Sequence, residues 1–350
     1  LLFGSLRCSW RGDGSLMKLD RPSQPCLPPR FAKSGYLQTL LGNYLRSPPF
    51  SATPTRTEIT LADGDRLVAK VFAPSPESPE RARKVVLCVF HGLGGNDERH
   101  YMRRVVDLGV RRGCEVWTVN HRGCGEGRGL ARGIYHSGVA PDISAVVAEV
   151  HRREPSTLVI GVGFSLSANA LLLCLGDGMN GPHHKPDAAI AVNPPINLAR
   201  CSELICAPHH FIYNLYFLRG CVRYVRQREA DGLIQQGRYP VHLRMSLKEF
   251  DDAFTAPMGG FRDSLDYYER SSAMPHLHRI TQPTVIIHAE DDPFIDPADF
   301  HRASFGSGVH LHLEQHGGHL GYVARDQPYR RWLDYGMGHY LDQLLSLLRA

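Results

Sequence analysis

The sequence lacks the signals of several large protein classes. No apolar run reaches the roughly 18 residues that cross a bilayer as a helix. The amino-terminal residues lack the basic-then-apolar order of a secretory signal. Net charge is only +5, from 40 Lys and Arg against 35 Asp and Glu, and the basic residues are interspersed. These absences predict a cytoplasmic protein with no transmembrane segment and no nucleic-acid partner.

Motifs that bind metals and nucleotides are also missing. The 19 histidines form no HExxH pattern, and the sequence contains no GxxxxGK[ST] loop. Gly161 and Gly163 do not begin a dinucleotide fingerprint, because Leu166 stands at the third glycine position. We therefore expect neither a metal ion nor an organic cofactor. The nine cysteines are odd in number and form no CxxC pair, which favours reduced, buried thiols over a disulfide framework.

The order of apolar runs predicts the fold class. Continuous apolar runs alternate with helical patterns, which is typical of βαβ units and of buried parallel strands. The predicted strands are a hairpin at Thr57–Leu61 and Leu67–Phe72, then Val85–Phe90, Glu115–Asn120, Leu158–Phe164, Ala188–Asn193, Thr284–Ala289 and Val309–Glu314. The predicted helices are Arg99–Arg112, Ala140–Arg153, Leu166–Leu175 and one near Tyr329–Leu348. This pattern predicts an α/β fold with a mostly parallel central sheet flanked by helices.

Spacing along the chain predicts its division into parts. About ninety residues separate the strands at 188–193 and 284–289, far more than one crossover needs. We therefore predict a core of residues 31–197 and 275–350, with an inserted helical cap at 198–274. Residues 1–30 are expected to be an amino-terminal extension, partly non-native, with Met17 as a candidate natural start. Within the cap, Arg219, Arg223 and Arg226 share one helical face, which indicates a solvated surface or, alternatively, a peripheral lipid contact.

A candidate nucleophile follows the predicted strand that ends at Phe164. Ser165 lies between this strand and a helix, with Gly163 two residues before it and Ser167 two residues after it. A nucleophile elbow needs small residues at both positions because the backbone turns sharply there. Gly is usual at the second position, and serine is small enough to fit. Alone, this GxSxS match is equally compatible with an ordinary polar turn.

Three further features follow other strands in the order of an α/β-hydrolase. The Gly-rich stretch His91–Gly95 predicts an oxyanion loop, in which the amides of Leu93 and Leu166 would be the donors. Acidic residues follow the strand ending at Ala289; Asp292 is preferred and Asp291 is the alternative. The glycine-flanked histidines His316 and His319 follow the last strand. Ser, Asp and then His is the chain order that this fold uses.

These stretches resemble the YheT-like branch of the α/β-hydrolases, from about Phe31 to the carboxyl terminus. The stretches that carry the resemblance are GYLQT (35–39), FHGLGG (90–95), NHRGCG (120–125), YHSG (135–138), GFSLSAN (163–169), FDDAFTAPMGGF (250–261), DYYERSS (266–272), HAEDDPFI (288–295) and HGGHLGY (316–322). The resemblance implies a triad of Ser165, Asp292 and His319, and thus favours His319 over His316. The family usually has Gly-Gly at 167–168, where this chain has Ser-Ala.

The resemblance implies a carboxylesterase-type serine hydrolase acting on short to medium acyl chains, with an ester or acyl lipid as its partner. A thioesterase, an amidase or a phospholipase with the same triad would look alike in sequence. A non-catalytic binding protein that keeps the hydrolase fold is the alternative from another class. The apolar stretch Phe211–Leu218 of the predicted cap is a candidate lining for an acyl pocket.

Overall fold

The structure is a computed structural model that describes residues 17–45, 47, 49–50, 52–79, 83–178 and 184–348. Eight strands form one sheet in the order β1-β2-β4-β3-β5-β6-β7-β8. They are β1 (Thr55–Thr60), β2 (Arg66–Phe72), β3 (Val85–Phe90), β4 (Glu115–Asn120), β5 (Leu158–Phe164), β6 (Ala188–Val192), β7 (Thr284–Ala289) and β8 (Val309–Glu314). The pairs β1–β2 and β2–β4 are antiparallel, and all the others are parallel.

Helices cover both faces of this sheet and extend beyond its carboxyl edge. The α-helices are α1 (Gly35–Tyr44), α2 (His100–Val110), α3 (Ala140–Arg153), α4 (Leu166–Leu175), α5 (Leu198–Cys206), α6 (Phe211–Ala230), α7 (Leu247–Phe250), α8 (Ala256–Gly259), α9 (Ser264–Ser271), α10 (Pro297–Arg302) and α11 (Trp332–Leu347). A π-helical turn, Asp251–Thr255, joins α7 to α8.

Strand β3 shows why the apolar runs form a three-layered core. All six of its residues are buried, and successive side chains point to opposite faces of a sheet. Val85, Leu87 and Val89 pack with α2 and α11, whereas the three alternate residues pack with α3 and α4. A strand covered on both faces has to be apolar throughout. The predicted α/β fold with a mostly parallel sheet is confirmed.

The residues between β6 and β7 form five of the α-helices, α5 to α9. The two ends of the 198–274 segment meet, because the Met274 amide donates a hydrogen bond to Ile196 O at 3.0 Å. Within the segment, α5 contacts α6, α7 and α9, and Leu218, Val225 and Phe254 join the core on the α3–α4 side of the sheet. The segment therefore leaves the sheet and returns to it at one place.

The described part of the amino-terminal region, residues 17–30, packs along β8 and α11. Met17 and Cys26 are buried. The Met17 amide donates to Ser307 O at 2.7 Å, and Trp332 Nε1 donates to Gln24 O at 2.7 Å. Residues 1–16, which include Cys8, lie outside the described residues. The other eight cysteines are free thiols, and five of them are buried.

Candidate active site

The carboxyl ends of three parallel strands bring the candidate triad together. Ser165 follows β5, Asp292 follows β7, and His319 lies on the loop after β8. Ser165 Oγ is 2.8 Å from His319 Nε2, and His319 Nδ1 is 2.8 Å from Asp292 Oδ2. When His319 carries its proton on Nδ1, it donates to the Asp292 carboxylate and its Nε2 accepts the Ser165 hydroxyl. This is the arrangement that turns a serine hydroxyl into a nucleophile.

Ser165 has a strained backbone. Its φ is 53° and its ψ is −121°, a conformation that costs a non-glycine residue on the order of 1–3 kcal/mol. This conformation makes the sharp turn by which α4 starts at the next residue, with Ser165 Oγ 2.8 Å from His319 Nε2. Gly163 permits the turn, because a Cβ there would lie 2.8 Å from Ala168 Cα. The sequence expectation of a sharp strand-to-helix turn at Ser165 matches this geometry.

Ser167 does more than fit the elbow. Its side chain is fully buried, and its hydroxyl donates a short hydrogen bond to His91 O. Tyr135 Oη and His121 Nε2 each lie 2.7 Å from Ser167 Oγ. Burial lowers the pKa of His121 well below its usual value, so the ring is neutral and can take part as donor or acceptor. The residue that departs from the usual glycine thus ties α4 to the loop after β3.

That loop carries the predicted oxyanion donors. A Cβ on Gly92 would lie 3.1 Å from Ser165 Cβ, so the loop passes directly beside the candidate nucleophile. Leu93 follows in this loop, and Leu166 is the first residue of α4, where backbone N–H groups have no acceptor within the helix. Both leucines line the same cavity as Ser165. That these two amides bind a developing oxyanion stays a prediction.

The two neighbouring aspartates have different contacts. Asp292 Oδ2 also accepts from Asn193 Nδ2 at 2.7 Å, and its Oδ1 accepts from the Phe294 amide at 2.9 Å. Burial alone would raise the pKa of Asp292, but the charge and hydrogen bond of His319 outweigh it, and the pKa is lowered. Asp292 is therefore ionised at neutral pH.

Asp291 instead holds the histidine loop. Its Oδ1 accepts hydrogen bonds from the amides of Gly317 and Gly318 at 2.9 and 2.7 Å. His316 Nδ1 lies 3.5 Å from Asp291 Oδ2, whereas the hydrogen bond to Ser165 comes from His319. The alternatives left open in the sequence, Asp291 and His316, thus contact each other beside the candidate triad.

Sequence reasoning missed two residues that position the triad. Asn193 binds Asp292 and also donates to Gly318 O at 3.2 Å. Thr39 Oγ1 accepts from the His319 amide at 2.9 Å. Asn193 follows a buried parallel strand, as Ser165 and Asp292 do, and that signal could have identified it. Thr39 lies in α1, an element that we did not predict, and nothing in its sequence context indicates the contact.

A cavity of about 130 Å³ opens beside Ser165, between the sheet edge and the 198–274 segment. Most of the side chains around it are aromatic or aliphatic, and they include Phe217, Tyr224, Phe250, Phe254, Tyr267 and Phe294. The predicted stretch Phe211–Leu218 contributes only Phe217, while Phe211 and Ile212 are exposed. Most of the lining on this side instead comes from α5, from the later turns of α6, from α7, from the π-helical turn and from α9.

The described residues contain neither a candidate metal site nor a candidate membrane-spanning helix. Among them, no three His, Cys, Asp or Glu side chains come together in a way that could hold a metal ion. No helix in the described ranges combines the length and the apolar character that crossing a membrane requires.

Known proteins resemble this chain in sequence and in fold. The Escherichia coli (strain K12) protein "Putative esterase YheT" is 32% identical, with 91% of this chain and 94% of that protein aligned. Monoacylglycerol lipase ABHD2 of Mus musculus is 25% identical over 91% of this chain and 80% of its own. Phospholipase ABHD3 of Bos taurus is 26% identical over 83% of this chain and 71% of its own.

Solved structures agree on the fold. The esterase Pf2001 of Pyrococcus furiosus has a TM-score of 0.52 at 14% identity, covering 85% of this chain and 99% of that one. The 2,6-dihydroxy-pseudo-oxynicotine hydrolase has a TM-score of 0.55 at 16% identity, covering 89% and 72%. The sequence profile of the alpha/beta hydrolase family matches residues 85–334. The chain belongs to the alpha/beta hydrolase family, and the YheT resemblance noted in its sequence is confirmed.

Proposed function

We propose that this protein is a serine hydrolase that cleaves carboxylic esters of short to medium acyl chains through an acyl-serine intermediate. The observation that carries the proposal is the hydrogen-bonded chain from Ser165 through His319 to Asp292 at the cavity. Relatives named as esterase, monoacylglycerol lipase and phospholipase support ester chemistry. We also propose that residues 198–274 act as a cap that selects the substrate.

The proposed reaction begins when His319 Nε2 accepts the Ser165 proton as Oγ attacks the ester carbonyl. Asp292 stabilises the imidazolium that forms. The amides of Leu93 and Leu166 bind the oxyanion, and one such donor typically contributes roughly 3 kcal/mol to lowering the barrier. His319 then protonates the departing alcohol, and a water molecule, activated by the same imidazole, releases the acyl group from Ser165.

The test compares wild type and Ser165→Ala on p-nitrophenyl esters from acetate to palmitate, with a thioester and a phospholipid in the same panel. We expect wild type to react with a fluorophosphonate probe and to cleave the shorter esters, and Ser165→Ala to do neither. A folded wild-type protein that neither labels nor hydrolyses any of these substrates would favour the non-catalytic binding protein. Preferred cleavage of the thioester or phospholipid would change the substrate class and leave the triad unaffected.

The exposed surface of α6, the longest helix of the 198–274 segment, suggests that the protein also contacts lipid. On α6, Ile212, Tyr216, Arg219, Arg223 and Arg226 are exposed at helical spacing, so they form one stripe that is apolar at its start and basic at its end. Among the described residues, none of the three arginines forms an ion pair, which leaves their charge available to an anionic surface.

Helix α1 contacts α6, because Tyr36 packs on Tyr213 with ring centroids 5.2 Å apart. Exposed Leu37, Leu40 and Tyr44 follow one another on α1. We propose that this face binds anionic lipid surfaces.

Co-sedimentation with phosphatidylcholine vesicles containing phosphatidylserine tests this contact. We expect Arg219→Glu/Arg223→Glu to weaken binding at least tenfold, since each basic residue near such a surface contributes about 1 kcal/mol. Arg152→Glu is the control. Arg152 is 71% exposed at the end of α3, near the amino end of β5 and thus far from the carboxyl ends of the strands, where the 198–274 segment lies. Equal binding of wild type and the double variant would exclude this face.

A further inference from the structure

The cavity beside Ser165 contains one acidic side chain that the proposed reaction does not use. Asp251 lies at the start of the π-helical turn, lines the cavity and is 8% exposed. Its surroundings are largely apolar, with Phe250 and Phe254 in the same turn region and Tyr267 among the other lining residues. A carboxyl group in such a place lowers stability unless it is well compensated.

The hydrogen bonds of Asp251 compensate it only in part. Tyr268 Oη donates to Asp251 Oδ2 at 2.7 Å, and the Thr255 side chain provides a second hydrogen bond. Ser202 Oγ is 2.9 Å from Tyr268 Oη and donates to it, because the tyrosine proton is directed to the carboxylate. All of these donors are neutral. No described residue forms an ion pair with Asp251, and the nearby Lys248 pairs with Asp252 at 3.0 Å.

Thr255, Tyr268 and Ser202 also line the cavity, so the polar groups form one patch on a wall that is otherwise apolar. Ser165 and His319 line this same cavity, so the patch and the candidate triad face one enclosed space. A substrate held at Ser165 and extending into the cavity would therefore meet the carboxylate of Asp251.

We propose that Asp251 determines substrate specificity by accepting a hydrogen bond from a hydroxyl or ammonium group on the part of the ester that enters the cavity. The inference rests on the proposed esterase function and adds a substrate class to it, namely esters that are apolar near the carbonyl and carry a donor group farther along. An apolar chain that ends at this carboxylate would desolvate it without replacing the lost hydrogen bonds.

The experiment compares p-nitrophenyl hexanoate with its 6-hydroxy and 6-amino derivatives, and ethyl hexanoate with the 2-hydroxyethyl ester, which places the donor on the alcohol side. We expect wild type to prefer at least one donor-bearing ester by about tenfold or more in kcat/KM. Asp251→Asn is expected to reduce this ratio at least fivefold for the preferred ester. The ratio is used because a general loss of rate cancels from it. The 6-hydroxy and 6-amino compounds distinguish a hydroxyl from an ammonium ligand.

Asp252→Asn is the matched control, because Asp252 is the next carboxylate in the chain and does not belong to the cavity wall. It should keep the wild-type ratio. Equal kcat/KM for all the esters in wild type, or the same preference in wild type and Asp251→Asn, would overturn the inference.

Binding separates this inference from the proposed function. Melting temperatures are measured for Ser165→Ala, with and without Asp251→Asn. Each protein is tested alone, with ethyl hexanoate and with ethyl 6-hydroxyhexanoate. We expect the hydroxylated compound to stabilise Ser165→Ala more, and the difference to vanish in the double variant. If wild type cleaves no ester but the hydroxylated compound still binds better, the esterase proposal is refuted and the Asp251 site is retained. Ester cleavage without any preference in rate or binding would refute the Asp251 site alone.

Discussion

At the scale of single residues, Asp291 and Asp292 provide the sharpest contrast. Asp292→Asn should lower kcat on p-nitrophenyl butyrate by about 10³–10⁴, because an amide at this position favours the wrong tautomer of His319. Asp291→Asn should stay within about tenfold of wild type, because an amide oxygen can still accept from Gly317 and Gly318. Steady-state kinetics on both folded variants checks the prediction. A larger loss in Asp291→Asn than in Asp292→Asn would reverse the assignment.

Asp251 should affect the pH dependence of the free energy of unfolding as well as substrate specificity. Burial raises its pKa from 3.8 to about 6, so the folded protein holds this proton more tightly than the unfolded chain does. Ionised Asp251 therefore destabilises the fold above about pH 6, and this penalty disappears below about pH 4. Asp251→Asn should raise the free energy of unfolding at pH 7.5 by on the order of 3 kcal/mol and have little effect at pH 3.5.

Asp252→Asn should show the opposite sign in the same urea titrations. Burial acts to raise the pKa of Asp252, but the hydrogen bonds that it accepts from the Ser264 amide and from Lys248 outweigh burial, so the pKa is lowered. That variant should be less stable than wild type at pH 7.5, with a difference that shrinks as the pH falls. A loss of stability in Asp251→Asn at pH 7.5 would indicate that Asp251 has a structural role.

The residues that sequence could predict all follow buried strands. Ser165, Asp292 and the glycine-flanked His319 are recognisable because polar groups directly after apolar runs meet at one sheet edge. Asn193 shares this position and was overlooked because an amide has no obvious catalytic role. Asp251 could not be recognised, since only the folded segment shows that its side chain faces the cavity of Ser165.

At the scale of elements, helix α1 holds the loop that carries His319, and the sequence did not predict this helix. The pattern of apolar and polar residues in α1 does not show which element the helix packs against. In the structure it packs against the loop that carries His319. A Cβ on Gly35 would lie 1.7 Å from Asp291 O, so the two backbones are in direct contact there. Gln38 reinforces the contact, because its Oε1 accepts from the Val323 amide at 2.6 Å.

Gly35→Ala should therefore displace α1 and loosen the histidine loop. We expect the free energy of unfolding to fall by about 1–3 kcal/mol, as is typical of overpacking, and kcat to fall at least tenfold. Gly127→Ala is the control, because a Cβ there meets no atom closer than 3.7 Å and Gly127 does not line the cavity beside Ser165. Urea unfolding and ester kinetics measure both variants. Wild-type values for Gly35→Ala would show that the helix can move without affecting His319.

At the scale of the whole molecule, the sheet was easier to predict than its surroundings. All eight strands start and end within two residues of their predicted limits. Strands buried on both faces must be apolar throughout, which makes them visible in sequence. The packing of residues 17–30 along β8 and α11 was not foreseen, because its backbone hydrogen bonds leave no periodic pattern in the sequence.

The meeting of Ile196 with Met274 has a consequence for how such proteins diversify. An insertion whose two ends touch can be lengthened, replaced or exchanged without changing the path of the chain on either side of it. Ser165, Asp292, His319 and the loop after β3 all lie outside the exchanged stretch. A lineage could therefore change the lining of the cavity by replacing one contiguous piece of its gene while inheriting the candidate triad unaltered. Chimeras joined at these two residues would reproduce that history in the laboratory.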